Sequence, residues 1–291
     1  MKGKIALLAI LLAVLAIAAF FYFSQAERGS APNVVPNSFD GNLRVWILDV
    51  NQGDSILLQL PNGKNILVDA GLPEQGEKVA AFLKQQGVYR LDALVATHSD
   101  SDHIGGMDEV LKQILISAFF ENGRACETQT CKGLDEVLGE KQIPRAVLKG
   151  GTDFNIGGFS FSVLNPWPED SQTDNDASIV LRFAFKNEIF MLAGDCTSLC
   201  EQTIEAHFIE LDVNVLKVGH HGSAYSSSAP FLQRVSPQFA LISVGENSYG
   251  HPPPQTIQRL QESGATVLRT DKSGNIELNT DGEILTISHD N

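Results

Sequence analysis

Four side chains able to bind a cation or carry a proton crowd into six positions: His98, Asp100, Asp102 and His103. Ser99 and Ser101 lie between them as weak donors. Imidazole nitrogen and carboxylate oxygen are together the ligands of divalent metals, and such a cluster could hold two cations a few ångström apart. In an extended loop His98, Asp100 and Asp102 point to one side, and His103 turns in once a helix begins. The competing reading is a polar helix cap with an incidental histidine pair. A surface loop has no need of so many ligands in so short a span.

The flanking residues indicate how the cluster is held. Residues 91 to 96 (Leu-Asp-Ala-Leu-Val-Ala) read as a short buried strand ending at Thr97. Gly105-Gly106 frees the backbone, and a helical pattern starts at Met107. Strand, ligand-rich loop and helix start is how α/β proteins build sites at the carboxyl ends of strands.

The rest of the chain alternates the two periodicities. Strands are expected at 43 to 50, 54 to 60 and 65 to 71, with Asn62-Gly63 as the hairpin cue between the last two. Helices follow at 75 to 87, 107 to about 115 and 133 to 140, with strands at 117 to 120, 145 to 148 and 159 to 164. In the second half a hairpin turns at Lys186-Asn187. A helix comes after Asp195, then strands at 213 to 218 and 239 to 244, and helices at 228 to 236 and 255 to 263. Three closing strands occupy 265 to 269, 274 to 279 and 283 to 288. Strand meanders at both ends with interspersed helices suggest an α/β four-layer αββα sandwich, two sheets back to back with helices outside.

Composition bounds the function. Of 291 residues 43% are hydrophobic and 19% charged, and the net charge is −14. Such a chain is no general nucleic-acid or anionic-membrane adhesive, because that binding rests on Lys and Arg. An enzyme that meets phosphates through bound cations stays open. Lys2 and Lys4 precede an apolar run, Ile5 to Phe23, of 19 residues. As a helix it would be about 28 Å long, near the ~30 Å hydrocarbon core. The positive-inside rule then puts the remainder outside the cytoplasm. Residues 1–23 are thus read as a signal anchor, or a signal peptide cleaved after Ala26, 24–41 as a linker and 42–291 as the domain. Four cysteines fit export. Local pairing, Cys126 with Cys131 and Cys196 with Cys200, is preferred among three possible pairings, and a zinc knuckle from the same four is the competing reading.

Further candidates end other strands. Asp195 closes a buried strand and could bridge two cations, or equally serve as a helix N-cap. Asp69 is placed to orient a ligand histidine from behind. Of His220 and His221, adjacent and divergent, one would bind metal and the other serve substrate or acid–base chemistry. His251 sits in a stiff Gly-His-Pro-Pro-Pro loop, and Asn175 to Ser178 could add an oxygen ligand or a substrate contact. His207 and His289 have no such context.

Six stretches occur in one order: Leu48 to Ile56 (LDVNQGDSI), Val68 to Gly71, His98-x-Asp-x-Asp-His-Ile-Gly-Gly, Leu192 to Asp195, His220 to Ser223 and Gly250 to Pro252. From about Leu43 to Glu277 the chain closely resembles the metallo-β-lactamase-like domain of the ComEC type, found at the end of the bacterial DNA-uptake channel protein and in stand-alone hydrolases. The channel's many membrane helices have no counterpart in the single apolar span, so a translocating pore is not expected. Three departures stand out. Asn51 occupies a position where the family has Gly, and Asp100 one where the wider superfamily has a second histidine. The first site's third histidine is also unmatched, Asn175 to Ser178 occupying that region.

The resemblance implies a metallo-β-lactamase fold and two divalent cations. Site one would draw on His98, Asp100 and Asp195. Site two would draw on Asp102, His103, Asp195 and one of His220 or His221, with His220 carried as the ligand. Asp54, Asp69, Asn175, Ser178 and Ser223 are expected behind the ligands or against substrate. The oxygen-rich first site suggests Zn²⁺ or Mn²⁺, with Mg²⁺ less favoured. The implied activity is hydrolysis of a nucleic-acid phosphodiester, with Asp102 accepting a proton and His251 or His221 stabilising charge or protonating the leaving oxygen. A hydrolase of phosphocholine esters, lactones or β-lactams, or a non-catalytic partner of a DNA-uptake channel, are the alternatives.

Overall fold

In the computed structural model residues 41–167 and 173–291 are described. The expected apolar helix at 5–23 and nearly all of the linker lie outside them. Alternation builds β1 (Leu43–Ile47), whereas β2 (Ile56–Gln59) and β3 (Asn65–Val68) are apolar runs buried on both faces, and the three form a meander. Helix α1 (Gly76–Gln85) then leads through β4 (Arg90–Leu91) to β5 (Ala93–Val95), which is parallel to β3. Two short helices, α2 (Ser101–Ile104) and α3 (Met107–Gln113), precede β6 (Leu115–Ile116) and β7 (Phe119–Glu121). Helix α4 (Gln129–Glu140) and β8 (Arg145–Val147) end this half.

The second half opens with β9 (Thr152–Ile156), β10 (Phe159–Asn165), β11 (Val180–Phe185) and β12 (Glu188–Leu192), all antiparallel. Helix α5 (Ser198–His207), β13 (Val215–Lys217), α6 (Ala229–Val235) and β14 (Phe239–Ile242) follow. Then come α7 (Pro254–Glu262), β15 (Thr266–Arg269), α8 (Thr270–Ser273), β16 (Ile276–Thr280) and β17 (Leu285–His289).

Two mixed sheets result. One has eight strands in the order β17-β16-β1-β2-β3-β5-β7-β8, the other seven in the order β15-β14-β13-β12-β11-β10-β9. Between them lies an apolar layer in which Val45, Ile47 and Leu58 meet Phe161, Phe183 and Phe190. The outer face of the first sheet is covered by α1, α3 and α4 through Val79, Leu83, Val110 and Leu134. That of the second is covered by α5, α6 and α7 through Ile204, Leu232 and Leu260. Helix, sheet, sheet, helix is the layering expected.

Three local readings change. Strand β9 was not expected: in Thr152–Ile156 exposed Asp153 and Asn155 alternate with half-buried Phe154 and Ile156, a pattern too short to stand out until it pairs with β10. The strand at 265 to 269 ends the second sheet, parallel to β14, whereas only β16 and β17 return to the first beside β1. The helix carrying His103 starts at Ser101, six residues before the apolar period becomes readable. Both disulfides are local, Cys126–Cys131 and Cys196–Cys200, so the zinc-knuckle reading falls. No helix among the described residues is long and apolar enough to cross a membrane.

Candidate metal centre

The carboxyl ends of β3, β5, β12 and β13 converge, and each delivers part of one cluster. His98 lies three residues beyond β5, and Asp100 stands just before α2, whose first turn carries Asp102 and whose last carries His103. Asp195 follows β12. Its N-cap reading fails, because Thr197 caps α5 by accepting from Leu199 N, leaving the Asp195 carboxylate to the cluster. Asp195 Oδ1 is 3.1 Å from His103 Nε2 and 3.5 Å from His221 Nε2, while Oδ2 is 3.9 Å from His98 Nε2 and 3.8 Å from His220 Nε2. Asp100 approaches His98 Nε2 at 3.5 Å, and Asp102 approaches His221 Nε2 at 3.3 Å. One carboxylate thus faces four imidazoles, one oxygen to each half of the cluster.

The Nδ1 sides of the rings are engaged from behind. Asp69 Oδ2 is 2.7 Å from His103 Nδ1 and also accepts from Thr97 Oγ1 at 2.7 Å, while Asp69 Oδ1 accepts from Thr97 N. Thr97 Oγ1, its proton given to Asp69, can accept from His98 Nδ1 at 3.1 Å. His221 Nδ1 faces the Ser243 carbonyl at 3.0 Å and Asp54 at 3.5 Å. With Nδ1 the donor in all three rings, Nε2 is the atom aimed into the cluster, and it presents a lone pair to a cation once any proton on it is lost, as in metal-ligating histidines.

Those forward atoms are orphaned. His98 Nε2, His103 Nε2, His221 Nε2 and Asp195 Oδ1 are buried and make no hydrogen bond. Leaving one buried polar atom unmet costs about 1–3 kcal/mol, so four gathered at one spot call for a ligand that takes an electron pair from each. Divalent cations fit that donor set. His98, His103 and Asp195 form one group whose atoms lie within 4.8 Å of one another; Asp102, His103 and His221 form another.

Without a cation, protons take its place: the same carboxylates favour the charged form of His103 and His221. Burial alone would push His221 down, but Asp195, Asp102 and Asp54 raise its pKa to about 10. Burial opposes charge on His103 too, and Asp195 and Asp69 outweigh it. Asp195 is held well below the usual carboxylate range against its burial, chiefly by His221 and His103. His220 and His251 behave oppositely. Burial lowers both, so each is a neutral imidazole near pH 7.

A model of the metallo-beta-lactamase superfamily matches residues 48–246. The chain belongs to the metallo-beta-lactamase superfamily. It is 33% identical over 263 residues to ComE operon protein 3 of Bacillus subtilis, a match covering 84% of this chain and 34% of that protein. It is 31% identical over 255 residues to competence protein ComA of Neisseria gonorrhoeae, covering 84% of this chain and 33% of that one. The chain therefore spans about a third of the length of these relatives. Among solved structures, the metallo-beta-lactamase fold protein YhfI from Bacillus subtilis superposes with a TM-score of 0.54 at 10% identity, covering 81% of this chain and 99% of that one. Membership implies divalent metal ions, and the His and Asp groups above are able to bind them.

The superfamily motifs explain the departures. Asn51 has φ 62, a conformation that Asn tolerates better than most residues, so it can replace Gly there. Its side chain gains a task, accepting from Glu246 N at the base of the His251 loop. Gly53 is irreplaceable in place, because a Cβ would lie 2.2 Å from the Asp102 carbonyl oxygen. Asp100, with its side chain 47% exposed, faces the open side of the first site.

The histidine pair divides opposite to the order carried forward from the sequence. Both residues have left-handed backbones, φ 49 and 52. It is His221 that is buried with Nε2 toward Asp102 and Asp195, while His220 faces the rim, 3.3 Å from Asn175 Nδ2. His251 packs edge-on against His220 with ring centroids 5.2 Å apart. Ser178 Oγ accepts from Asp195 N at 3.0 Å and so aims the carboxylate. Ser223 spends its hydroxyl on Tyr225 N. Two supporting residues were not foreseen, Thr97 and Lys217. Lys217 is fully buried and donates to Asp54 Oδ2 at 2.8 Å. The readable signal was a lysine inside the apolar stretch Val215-Leu216-Lys217-Val218, since buried lysines need a carboxylate. Beside His98 and Ser99 opens a cleft of about 400 Å³ floored by Ala96, Ile104, Phe119 and Leu134.

Proposed function

We propose that this chain is a metal-dependent phosphodiesterase that cleaves nucleic acid. The convergence of three buried, unpartnered imidazole nitrogens on the Asp195 carboxylate carries the metal-dependent part. The competence relatives support nucleic acid as substrate. His98, Asp100 and Asp195 would hold one cation, and Asp102, His103, His221 and Asp195 a second. Zn²⁺ and Mn²⁺ suit the mixed nitrogen and oxygen donors. When bound, such a pair supplies Lewis acidity toward phosphate oxygens and lowers the pKa of water toward neutrality.

The chain's own groups divide the remaining work. Asp102 is held below the usual carboxylate range by His221 and His103 despite burial, and its partial exposure leaves it able to take a proton at the open side. His220 and His251, neutral near pH 7, would donate N–H hydrogen bonds to the charge that develops on the phosphate. This differs from proton delivery to the leaving group, which needs a charged imidazole. Export is part of the same proposal. It is supported by the two disulfides, bonds that persist in oxidising compartments.

A substrate panel tests the reading. Protein loaded with Mn²⁺ or Zn²⁺ is expected to cleave bis(p-nitrophenyl) phosphate and DNA or RNA, and to leave a chromogenic β-lactam and a lactone intact. Turnover of the lactam or lactone with inert phosphodiesters would overturn it.

A further inference from the structure

Beyond the ligand atoms, three rings lead from the rim out to solvent. Tyr249 is 73% exposed, and its ring lies 5.7 Å from that of His251 at an interplanar angle of 29°. His251 meets His220 at 5.2 Å, and His220 Nε2 is 3.8 Å from Asp195. A lone exposed tyrosine would be ordinary. This one is mounted. Asn247 Oδ1 accepts from Tyr249 N at 3.1 Å and from His251 N at 3.0 Å. Asn247 Nδ2 donates to the carbonyls of Gly245 and His251, both at 2.9 Å. The start of the loop is held in turn, through Glu246 N, by Asn51. An aromatic face is thus presented to solvent on a backbone clamped at both of its histidine-proximal ends, which is how a binding platform avoids an ordering cost.

We infer that Tyr249 is a specificity-determining residue, its ring stacking on a nucleobase next to the phosphate held at the metal centre. The inference rests on the phosphodiesterase reading above. Charge favours such a platform. At −14 the chain offers a polyanion little general attraction, which gives weight to the cations and to uncharged contacts. Every base has a π-face, so stacking holds a strand without reading its sequence. Bases inside a duplex are covered on both faces, so the platform engages an unpaired or terminal base. Tyr249 is not among the candidate metal ligands, but its ring packs on His251, so a loss that reaches the chemistry through His251 would appear on an abasic strand as well as on a normal one.

The test compares one oligodeoxynucleotide with an abasic strand of equal length, using metal-loaded protein. On the normal strand Tyr249→Ala is expected to raise KM by about 5- to 150-fold, the range of one base–aromatic stack. Its kcat should stay within about twofold of wild type. On the abasic strand wild type and Tyr249→Ala should behave alike, and Tyr249→Phe should restore wild-type KM on the normal strand, since stacking needs the ring and not the hydroxyl. Equal losses on both strands, no loss on the normal strand, or failure of Phe to rescue would each overturn the stacking role while leaving the phosphodiesterase reading standing. A wild type that cleaves neither strand would overturn both.

Discussion

Lys217 and Asp54 stand 163 positions apart in the chain and meet at 2.8 Å, with side-chain exposures of 0% and 1%. The pair joins the two sheets' halves of the centre, since Asp54 precedes β2 and Lys217 ends β13. Asp54 Oδ1 is turned to His221, so the lysine fixes the carboxylate behind a candidate ligand. Removing one member strands the other. Lys217→Met should cost about 3–5 kcal/mol of stability, and adding Asp54→Leu should return most of it, as for other buried pairs replaced by apolar groups. Urea unfolding of the two variants measures this. A loss under about 1 kcal/mol for Lys217→Met would mean that the pair is not buried in solution.

The centre's charges predict a pH signature. His221, raised to about 10 by Asp195, Asp102 and Asp54 against its burial, and His103, raised by Asp195 and Asp69, contribute stability that is complete below their ordinary 6.5. That stability is lost as pH climbs through the folded values. Asp102 and Asp195, held low, contribute above 3.8 and lose it as pH falls. His220 and His251, held low, lose stability as pH falls below 6.5, so metal-free protein should melt highest near pH 6.5 and its Tm should decline from there toward pH 10. Cations must displace the imidazolium protons, so metal affinity should rise over the same upper range and binding should release protons. Thermal melts with and without Mn²⁺ from pH 5 to 9 check both. An upward drift of the metal-free Tm above pH 6.5 would contradict the protonation assigned.

Asp69 acts from behind, gathering His103, Thr97 Oγ1 and Thr97 N on one carboxylate. Asp69→Asn keeps the shape and removes the charge. Metal affinity should fall about 10- to 100-fold, the usual cost of losing such a support. Competition with a metal-sensitive dye reads it, and unchanged affinity would show that His103 is oriented by other means.

Asp100 places a hard oxygen at the open side of the first site. Asp100→His should shift preference from Mn²⁺ toward Zn²⁺, because imidazole replaces a hard oxygen. Metal content after dialysis against an equimolar mixture measures the shift. An unaltered ratio would remove Asp100 from the ligand set.

Much of this was readable because period and chemistry coincide. Alternating Leu43, Val45 and Ile47 could only be one buried face, and an apolar strand running into His98 could only end at a site. Other features depend on conformation that residue types do not encode. Whether His220 or His221 faces inward follows from two successive left-handed residues, for which histidine carries no signal. Thr152–Ile156 carries only two inward residues, Phe154 and Ile156, so its alternation is too brief to mark a strand without the pairing to β10. Ser101 to Ile104 reads as loop, yet the Asp100 carbonyl accepts from His103 N and Ile104 N and closes a helical turn. That turn swings His103 toward Asp195. Asn247, which organises the rim, looks in sequence like any loop asparagine.

The most direct test of the two-cation centre is a titration of metal-free protein with Mn²⁺ or Zn²⁺, reading bound metal by mass spectrometry and bis(p-nitrophenyl) phosphate hydrolysis together. The arrangement around Asp195 predicts two ions per chain, hydrolysis that becomes full only with the second, and loss of both in Asp195→Ala. Hydrolysis without bound metal, or an Asp195→Ala variant that binds and cleaves as wild type does, would contradict it.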